Sequence, residues 1–367
     1  MLIGGFARGG KRKRASRFDD TIEGREMKNA LLGTAALALA LSAGAASAQV
    51  ETTSSNLSFG LGGFMTVGLG YVDTDDNLDE VGLVRDGEIH FDGRLTADNG
   101  LTFGVDIEIE LNGDENTDEA SAFVQGSFGK LEIGEQDGAS SFMASGVVAP
   151  PFTSAQDGGG WLFNYYGGDM FDNGEPDSSG ANTSDSLKIS YFTPSFSGFS
   201  AGVSFVPEPG DEGGNAVGRA GQTQAFEIGA GYSGDFGDVS FGIGGGYVTD
   251  ATGSSDDDSS FGVGGTVGFS GFTVGVNYGY EEEGINGGTD EQSTIGAGVT
   301  YGTGPWVFGI DFATVMDGAN EDDLGVAAGM SYALAPGVSA GATIEYAEDE
   351  QRDAEGFAAG AFLSTTF

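Results

Sequence analysis

The chain has 367 residues, with 14 Lys and Arg against 56 Asp and Glu, a formal net charge of -42, one His and no Cys. The missing Cys excludes disulfides, thiolate metal ligands and a Cys nucleophile, and one His excludes a multi-His zinc site. So negative a charge argues against nucleic acid as a partner, because phosphate binding needs clustered Lys and Arg. The 68 glycines disfavour helices, whereas 39% apolar residues are too many for a disordered acidic chain. An all-β fold or a low-complexity extracellular repeat remains.

The N-terminal region has the pattern of an export signal. A basic start at 27–29 precedes the apolar run 30–41, and small residues at 46–48 form a cleavage site. The apolar run is shorter than the roughly 20 residues that a membrane-spanning helix needs. We expect a start codon assigned too early for 1–26, a signal peptide over 27–48 and a single mature domain over 49–367. The mature part keeps six basic residues against 52 acidic ones.

Apolar and polar residues alternate along about 16 segments of the mature chain, which is the period of a β-strand with two different faces. In residues 101–111, the odd positions hold Leu, Phe, Val and Ile, and the even positions hold Thr, Gly, Asp and Glu. Most segments have 9–13 residues, the length of a tilted strand that crosses a bilayer. The predicted segments are 57–72, 86–97, 100–111, 119–128, 130–136, 185–193, 198–206, 222–232, 238–249, 260–269, 271–281, 293–301, 305–315, 324–333, 337–346 and 356–367.

Short and long connections alternate between these segments. The short connections have two to six residues, whereas the long ones are mostly acidic, as at 250–260 and 281–291. This sorting is typical of an up-and-down membrane barrel with short periplasmic turns and longer outer loops. One outer connection, 136–184, is exceptionally long and contains an aromatic cluster at 161–166. A loop of this length is usually functional or disordered, and its aromatic residues favour order.

The apolar face is expected to contact lipid, and the polar or glycine face is expected to line a wet lumen. Aromatic residues at many strand ends match the interfacial girdle of outer-membrane barrels. Sixteen strands enclose an aqueous channel, and closure removes the sheet edges that lipid cannot hydrate. The predicted fold class is therefore all-β, a 16-stranded antiparallel transmembrane β-barrel over 49–367 with both termini at the periplasmic end.

Three stretches resemble the Gram-negative general porins, especially the alphaproteobacterial kind. They are SFGKLEIGEQDGASS (127–141), LKISYFTPSFSGFSAGVSFVPEP (187–209) and the terminal strand that ends in Phe367. The resemblance implies a homotrimer in the outer membrane, in contact with its lipid and lipopolysaccharide. It also implies a third outer loop folded inward to narrow the pore, and Phe367 as a signal for the barrel assembly machinery. The scarcity of basic residues for the barrel wall is a departure from the family pattern.

Ionisable residues concentrate on the predicted lumen face of the early strands. The wall candidates are Glu88, His90, Arg94, Asp106, Glu108, Lys130 and Lys188. The candidates in the long loop are Asp157, Asp169 and Asp172. Wall cations opposite loop acids would create a transverse field that acts on passing ions. An alternative left open is that these are solvated wall residues without a special role, as we expect for the single His90.

The spacing of Asp73, Asp75 and Asp79 is similar to the start of a calcium-binding EF-hand loop. The sixth position is Leu78 and the twelfth is Val84, where an EF-hand needs Gly and Glu. The EF-hand is therefore rejected, and no cofactor is expected. Loose Ca²⁺ binding by the acidic outer loops, which would bridge them to anionic lipid, stays open.

The preferred function is a water-filled outer-membrane pore for passive diffusion of small hydrophilic solutes and ions. Because a cleft lined by one sign of charge concentrates counter-ions, we expect a preference for cations. A substrate-specific channel is the nearest alternative, and the sequence separates the two poorly. A secreted Gly/Asp-rich calcium β-roll or adhesin would show tandem nonapeptides, which do not occur here. An outer-membrane enzyme would need a nucleophile–base pair, and one His without a nearby Ser motif argues against it.

Overall fold

The computed structural model describes residues 56–75, 79–111, 117–156, 183, 185–209, 224–250, 259–282, 291–318, 321–350 and 353–367. Within these ranges the chain forms sixteen antiparallel strands, each paired with its neighbours in sequence, and β1 pairs with β16 to close a barrel. The predicted barrel is confirmed. The strands are β1 (Leu57–Thr74), β2 (Asp79–Thr96), β3 (Thr102–Glu110), β4 (Glu119–Gly126), β5 (Gly129–Glu135), β6 (Leu187–Phe192), β7 (Phe199–Val206), β8 (Ala225–Phe236), β9 (Val239–Asp250), β10 (Ser259–Phe269), β11 (Phe272–Glu281), β12 (Gln292–Thr303), β13 (Trp306–Asp317), β14 (Leu324–Ala335), β15 (Val338–Asp349) and β16 (Ala354–Thr366).

Helical structure within the described residues is limited to one short 3₁₀ helix, Ala139–Ala144, between β5 and β6. Among these residues, no helix has the length and apolar character that crossing a membrane requires.

Closure of the barrel depends on the last residue of the chain. Strands β1 and β16 are in register from Phe64 opposite Thr366 to Thr74 opposite Gly356. Beyond this register, Gly63 and Phe367 exchange two main-chain hydrogen bonds of 3.0 Å each. Since lipid offers no water to an unpaired N–H or C=O, these bonds satisfy groups that an open edge would leave exposed.

The two faces of each strand meet different surroundings, as the alternation predicts. On β11, Phe272, Val274 and Val276 are exposed on the outer surface, whereas Thr273 and Asn277 between them are buried on the lumen side. The apolar side thus faces outward, the reverse of a small soluble barrel. This polarity is the one that a lipid environment requires.

Aromatic rings form a band at the end of the barrel with the short turns. The rings of Phe269 and Phe272 lie 5.7 Å apart, and Phe272 stacks on Tyr301 with centroids 4.4 Å apart. Further round the barrel, Trp306 meets Tyr332 edge-on at 4.6 Å. Such rings favour the boundary between lipid and water, so the band sets the depth of the barrel in the membrane.

The first hairpin is longer than the sequence predicted. The loop expected over 73–80 is mostly strand, because β1 continues to Thr74, β2 begins at Asp79, and Asp73 pairs with Asp79. Val81 and Leu83 continue the outward apolar row, which the flanking acidic residues concealed. The proposed calcium ligands are therefore spread along a sheet: Asp73 points outward, Asp75 lies at the turn, and the side chain of Asp79 is outside the described part.

A charge on the outer face is expected to destabilise the barrel far more than the same charge in the lumen. Ile344, in the middle of β15, is 53% exposed on the outer surface. Ile344→Lys is expected to cost about 2–4 kcal/mol of unfolding free energy in lipid vesicles, because Lys would lie near the bilayer midplane. Urea titration, with the heat-dependent mobility of the folded barrel on gels, measures this effect. Ser339→Lys, on the lumen face of the same strand, is the control, and equal destabilisation by both variants would contradict the assigned faces.

Candidate functional site

The third outer connection begins with a segment that runs inside the barrel, residues 136–156, hereafter the inward segment. At its start, the Ala139 N–H donates to the Ser204 hydroxyl of β7 at 2.8 Å. Near its end, the Thr153 hydroxyl donates to Glu345 of β15 at 2.7 Å. The segment therefore follows the lumen wall from β7 to β15, and the predicted inward fold of this loop is confirmed for its described part.

The wall beneath the inward segment is made of glycine. A Cβ added to Gly229, Gly275 or Gly298 would lie below 3.0 Å from backbone atoms of the segment, closer than real side chains approach. An added Cβ would lie below 3.0 Å from a backbone or side-chain atom of the segment at nine glycines, hereafter the glycine track: Gly229, Gly244, Gly246, Gly264, Gly275, Gly298, Gly309, Gly329 and Gly341. Because any larger residue would push the segment toward the pore axis, these glycines determine how far the segment extends into the lumen.

Glu227 of β8 ties together both ends of the third connection. Its Oε2 accepts the Ser140 N–H at 2.9 Å, and its Oε1 accepts the Thr183 hydroxyl. The Lys188 ammonium of β6 lies 3.3 Å from the same Oε1, and both side chains of this ion pair are fully buried. Removing one partner of a buried ion pair typically costs about 3–5 kcal/mol because the other charge is left unpaired, so Lys188 balances the carboxylate that holds Ser140.

Two further buried carboxylates hold the far end of the inward segment. Asp311 Oδ2 accepts the Ala155 N–H at 3.0 Å and the side chains of Ser154 and Gln156 at 3.2 Å each. Glu345, which binds Thr153, is 1% exposed. Glu227, Asp311 and Glu345 are hereafter the anchor carboxylates.

An aromatic contact completes the fit of the inward segment. Phe152 stacks on Phe362 of β16 with ring centroids 5.5 Å apart. The ring packs on a small cluster of apolar side chains inside the barrel, which includes Val72 and Val84. This contact secures the segment on the side of the lumen where β16 meets β1.

The opposite half of the wall, on β2 to β6, carries the described basic side chains of the lumen and the acids that pair with them. The Arg94 guanidinium lies 3.0 Å from Asp92 and 2.6 Å from Asp106, and it covers the Phe123 ring at 4.7 Å. Lys130 forms an ion pair with Glu132. Lys188 pairs with Glu227, as described above. Each predicted wall cation is thus paired with a carboxylate of the barrel itself.

His90 lies between two glutamates of the same wall. Its Nε2 is 2.7 Å from Glu88 Oε2, and its Nδ1 is 3.9 Å from Glu108 Oε1. The neighbouring strand pair places Glu108 directly opposite His90 and Glu110 opposite Glu88. Glu88 lies two residues before His90 on the same face of β2, whereas Glu108 becomes a neighbour only through the pairing of β2 with β3.

Three carboxylates converge where the inward segment leaves the wall. Oxygens of Glu119, Asp137 and Asp185 all lie within 4.8 Å of one another. Burial, and then the negative charge of Asp185, raises the pKa of Asp137 to about 7. Near neutral pH, Asp137 is therefore partly protonated, which relieves the repulsion among the three carboxyls.

The predicted wall residues all occupy lumen-facing rungs of β2, β3, β5 and β6. Glu88 and Lys188 are buried, however, so they do not line water directly. The predicted loop residues Asp157, Asp169 and Asp172 lie outside the described residues. Sequence reasoning missed the anchor carboxylates, although each lies on the lumen-facing side of its strand among small or apolar neighbours.

Residues 33–353 match the family model of the Gram-negative porins. No curated protein matches the chain. A porin structure refined at 1.8 Å resolution is similar to this chain, with a TM-score of 0.61, 19% identity, and coverage of 84% of this chain and 100% of that one. A substituted variant of the Rh. blastica porin is similar with a TM-score of 0.59 and 20% identity, and the match covers 84% of this chain and 100% of that one. A triple mutant of the Rhodopseudomonas blastica porin is similar with a TM-score of 0.58 and 19% identity, and the coverage of both chains is the same.

The closed barrel with an apolar outer face and a lumen lined by polar side chains defines a membrane channel. The structural likenesses show a shared barrel, and the match over most of the sequence shows the family: the chain belongs to the Gram-negative porins. It is accordingly a porin of the outer membrane, and members of this family are channels rather than enzymes.

Filling the glycine track is expected to narrow the pore. A Cβ at Gly298 would lie below 3.0 Å from the Val148 carbonyl, so Gly298→Ala displaces the inward segment toward the axis. We expect lower single-channel conductance and a loss of about 1–3 kcal/mol from overpacking. Gly302→Ala is the matched control on the same face of β12, because its added Cβ would be 4.0 Å from the nearest atom. Wild-type conductance in an assembled Gly298→Ala barrel would contradict the proposed packing.

Proposed function

We propose that this porin forms a water-filled pore through which small hydrophilic solutes and ions diffuse passively, with cations preferred over anions. The observation that carries the preference is the pairing of the wall cations. Arg94 and Lys130 each contact carboxylates of the wall, and Lys188 is buried against Glu227. Positive charge that is neutralised locally has little long-range effect on ions in the pore. Acids of the wall that have no basic partner keep their long-range effect.

Exposed acids on β2 to β4 support this proposal. Glu108 and Asp106 are partly exposed on the lumen face. Because the Debye length is about 8 Å at physiological salt, wall charges act over much of a porin lumen. A surface of one sign raises the local concentration of counter-ions.

The inward segment supports a constricted pore. It covers the glycine half of the wall, so the water-filled passage lies between it and the charged half. We propose that the continuation of the third loop, with Asp157, Asp169 and Asp172, completes the constriction. These acids would add to the negative lining and would strengthen the cation preference.

Selectivity is testable with two matched Arg variants on β2. Arg94 faces the lumen, whereas Arg85 is exposed on the outside, where it donates to the Leu111 carbonyl at 2.6 Å. We expect the wild type to prefer cations at low salt, and this preference to weaken as the salt concentration rises. Arg94→Gln is expected to increase the preference for cations, because Asp92 and Asp106 lose the positive charge that neutralises them. Arg85→Gln removes the same charge outside the lumen and is expected to change nothing. Reversal potentials across a KCl gradient measure the ion selectivity of the wild type and of both variants. A preference of the wild type for anions at low salt would refute the proposal.

We further propose a homotrimer, assembled with the help of a terminal signal at Phe367. Membership of the porin family supports both, and the pairing of Phe367 with Gly63 places the terminus at the closing seam. The expected detergent-corrected mass is three mature chains. A mass of one chain, from scattering or native mass spectrometry of the folded protein, would contradict the trimer.

A further inference from the structure

We propose that Glu88, His90 and Glu108 bind one divalent transition-metal ion on the pore wall. One ligand atom from each residue lies within 4.8 Å of the others, and the closest pair, His90 Nε2 and Glu88 Oε2, is 2.7 Å apart. Two carboxylates and an imidazole are three donors from two adjacent strands. Water from the pore can supply the remaining coordination positions.

The donor set favours Zn²⁺, Cu²⁺ or Ni²⁺ over Ca²⁺. Imidazole suits the first-row transition metals, whereas Ca²⁺ takes six to eight oxygen ligands. Zinc sits about 2.0–2.2 Å from nitrogen and carboxylate ligands, so three ligands around it lie about 3–3.5 Å apart. One ligand atom from each of the three residues lies within 4.8 Å of the others, so small rotations of the side chains would bring them to that spacing around one ion.

The strand register supports a preformed site. Residues on paired rungs of β2 and β3 are fixed by the sheet, and His90 lies directly opposite Glu108. On the other side, β1 presents Gly62 opposite His90, so the residue directly opposite the imidazole has no side chain. The Phe64 ring meets the imidazole edge-on at 6.4 Å and restricts its orientation. Ligands carried by rigid strands need little reorganisation to bind an ion.

The local charge balance also favours a bound cation. Glu88 and Glu110 are directly opposed, as are Asp92 and Asp106, and like charges in this position destabilise a sheet. Arg94 offsets the second pair by contacting both of its acids. A divalent ion bound at His90 would contact Glu88, one acid of the first pair. The imidazole is 30% exposed and Glu108 is 19% exposed, so an ion in the lumen can reach the site.

Direct titration of the folded protein tests the site independently of ion transport. Untagged porin in detergent is titrated with ZnCl₂ by calorimetry, after gel mobility has shown each variant to be folded. We expect one site per chain in the wild type and at least a tenfold weaker affinity in His90→Gln, since loss of even an outer-shell partner typically costs about 10–100-fold. Asp235→Asn, which removes one lumen acid on β8, is the matched control and is expected to bind as the wild type does.

A spectroscopic measurement separates ligation from general attraction by acids. The chain contains a single His, so any imidazole nitrogen coupling in the electron paramagnetic resonance spectrum of bound Cu²⁺ reports His90. We expect this coupling in the wild type and in Asp235→Asn, and its loss in His90→Gln. Unchanged Zn²⁺ affinity in His90→Gln, absence of nitrogen coupling, or equal competition by Ca²⁺ would each overturn the proposal.

Discussion

The hydrocarbon layer contains no water, and this constraint determines the architecture of the chain. Every main-chain N–H and C=O within the layer must find a partner in the sheet, which requires a closed ring of strands. The last rungs of that ring are formed by Phe367 and Gly63, at opposite ends of the barrel sequence. Closure leaves side chains with two environments, lipid outside and water inside. The alternation of period two follows from that division.

The lumen wall is divided again, into a charged half and a glycine half. Glycine is a poor strand residue because it has no side chain to pack and loses much entropy on folding. Along the glycine track, however, the inward segment provides the packing that the wall lacks. Its backbone approaches strands that a Cβ would keep at a distance, as at Gly275 and Gly298. The abundance of glycine and the position of the third loop are therefore one structural feature.

The strands could be predicted from sequence because each face meets a uniform environment over its length. The lumen placement of Arg94 or Lys130 follows from the same period. The anchor roles could not be predicted, because Ser140 and Glu227 are 87 residues apart, and Thr153 and Glu345 are 192 apart. Such pairs are brought together by the path of a loop, which has no period. The contact of His90 with Glu108 could not be predicted for a related reason, since it depends on the register between β2 and β3.

Burial distinguishes two roles for the lumen carboxylates. The anchor carboxylates are covered by the inward segment, and their charge is taken up by hydrogen bonds and, at Glu227, by Lys188. They contribute mainly to holding the segment, and little to the field in the pore. The acids of β2 to β4 remain partly open to water, so the field that an ion meets comes mostly from that side. Among the described residues, the water-exposed acids of the lumen therefore lie mainly on β2 to β4, and an ion that interacts with this wall is expected to pass along β2 and β3 rather than along the inward segment.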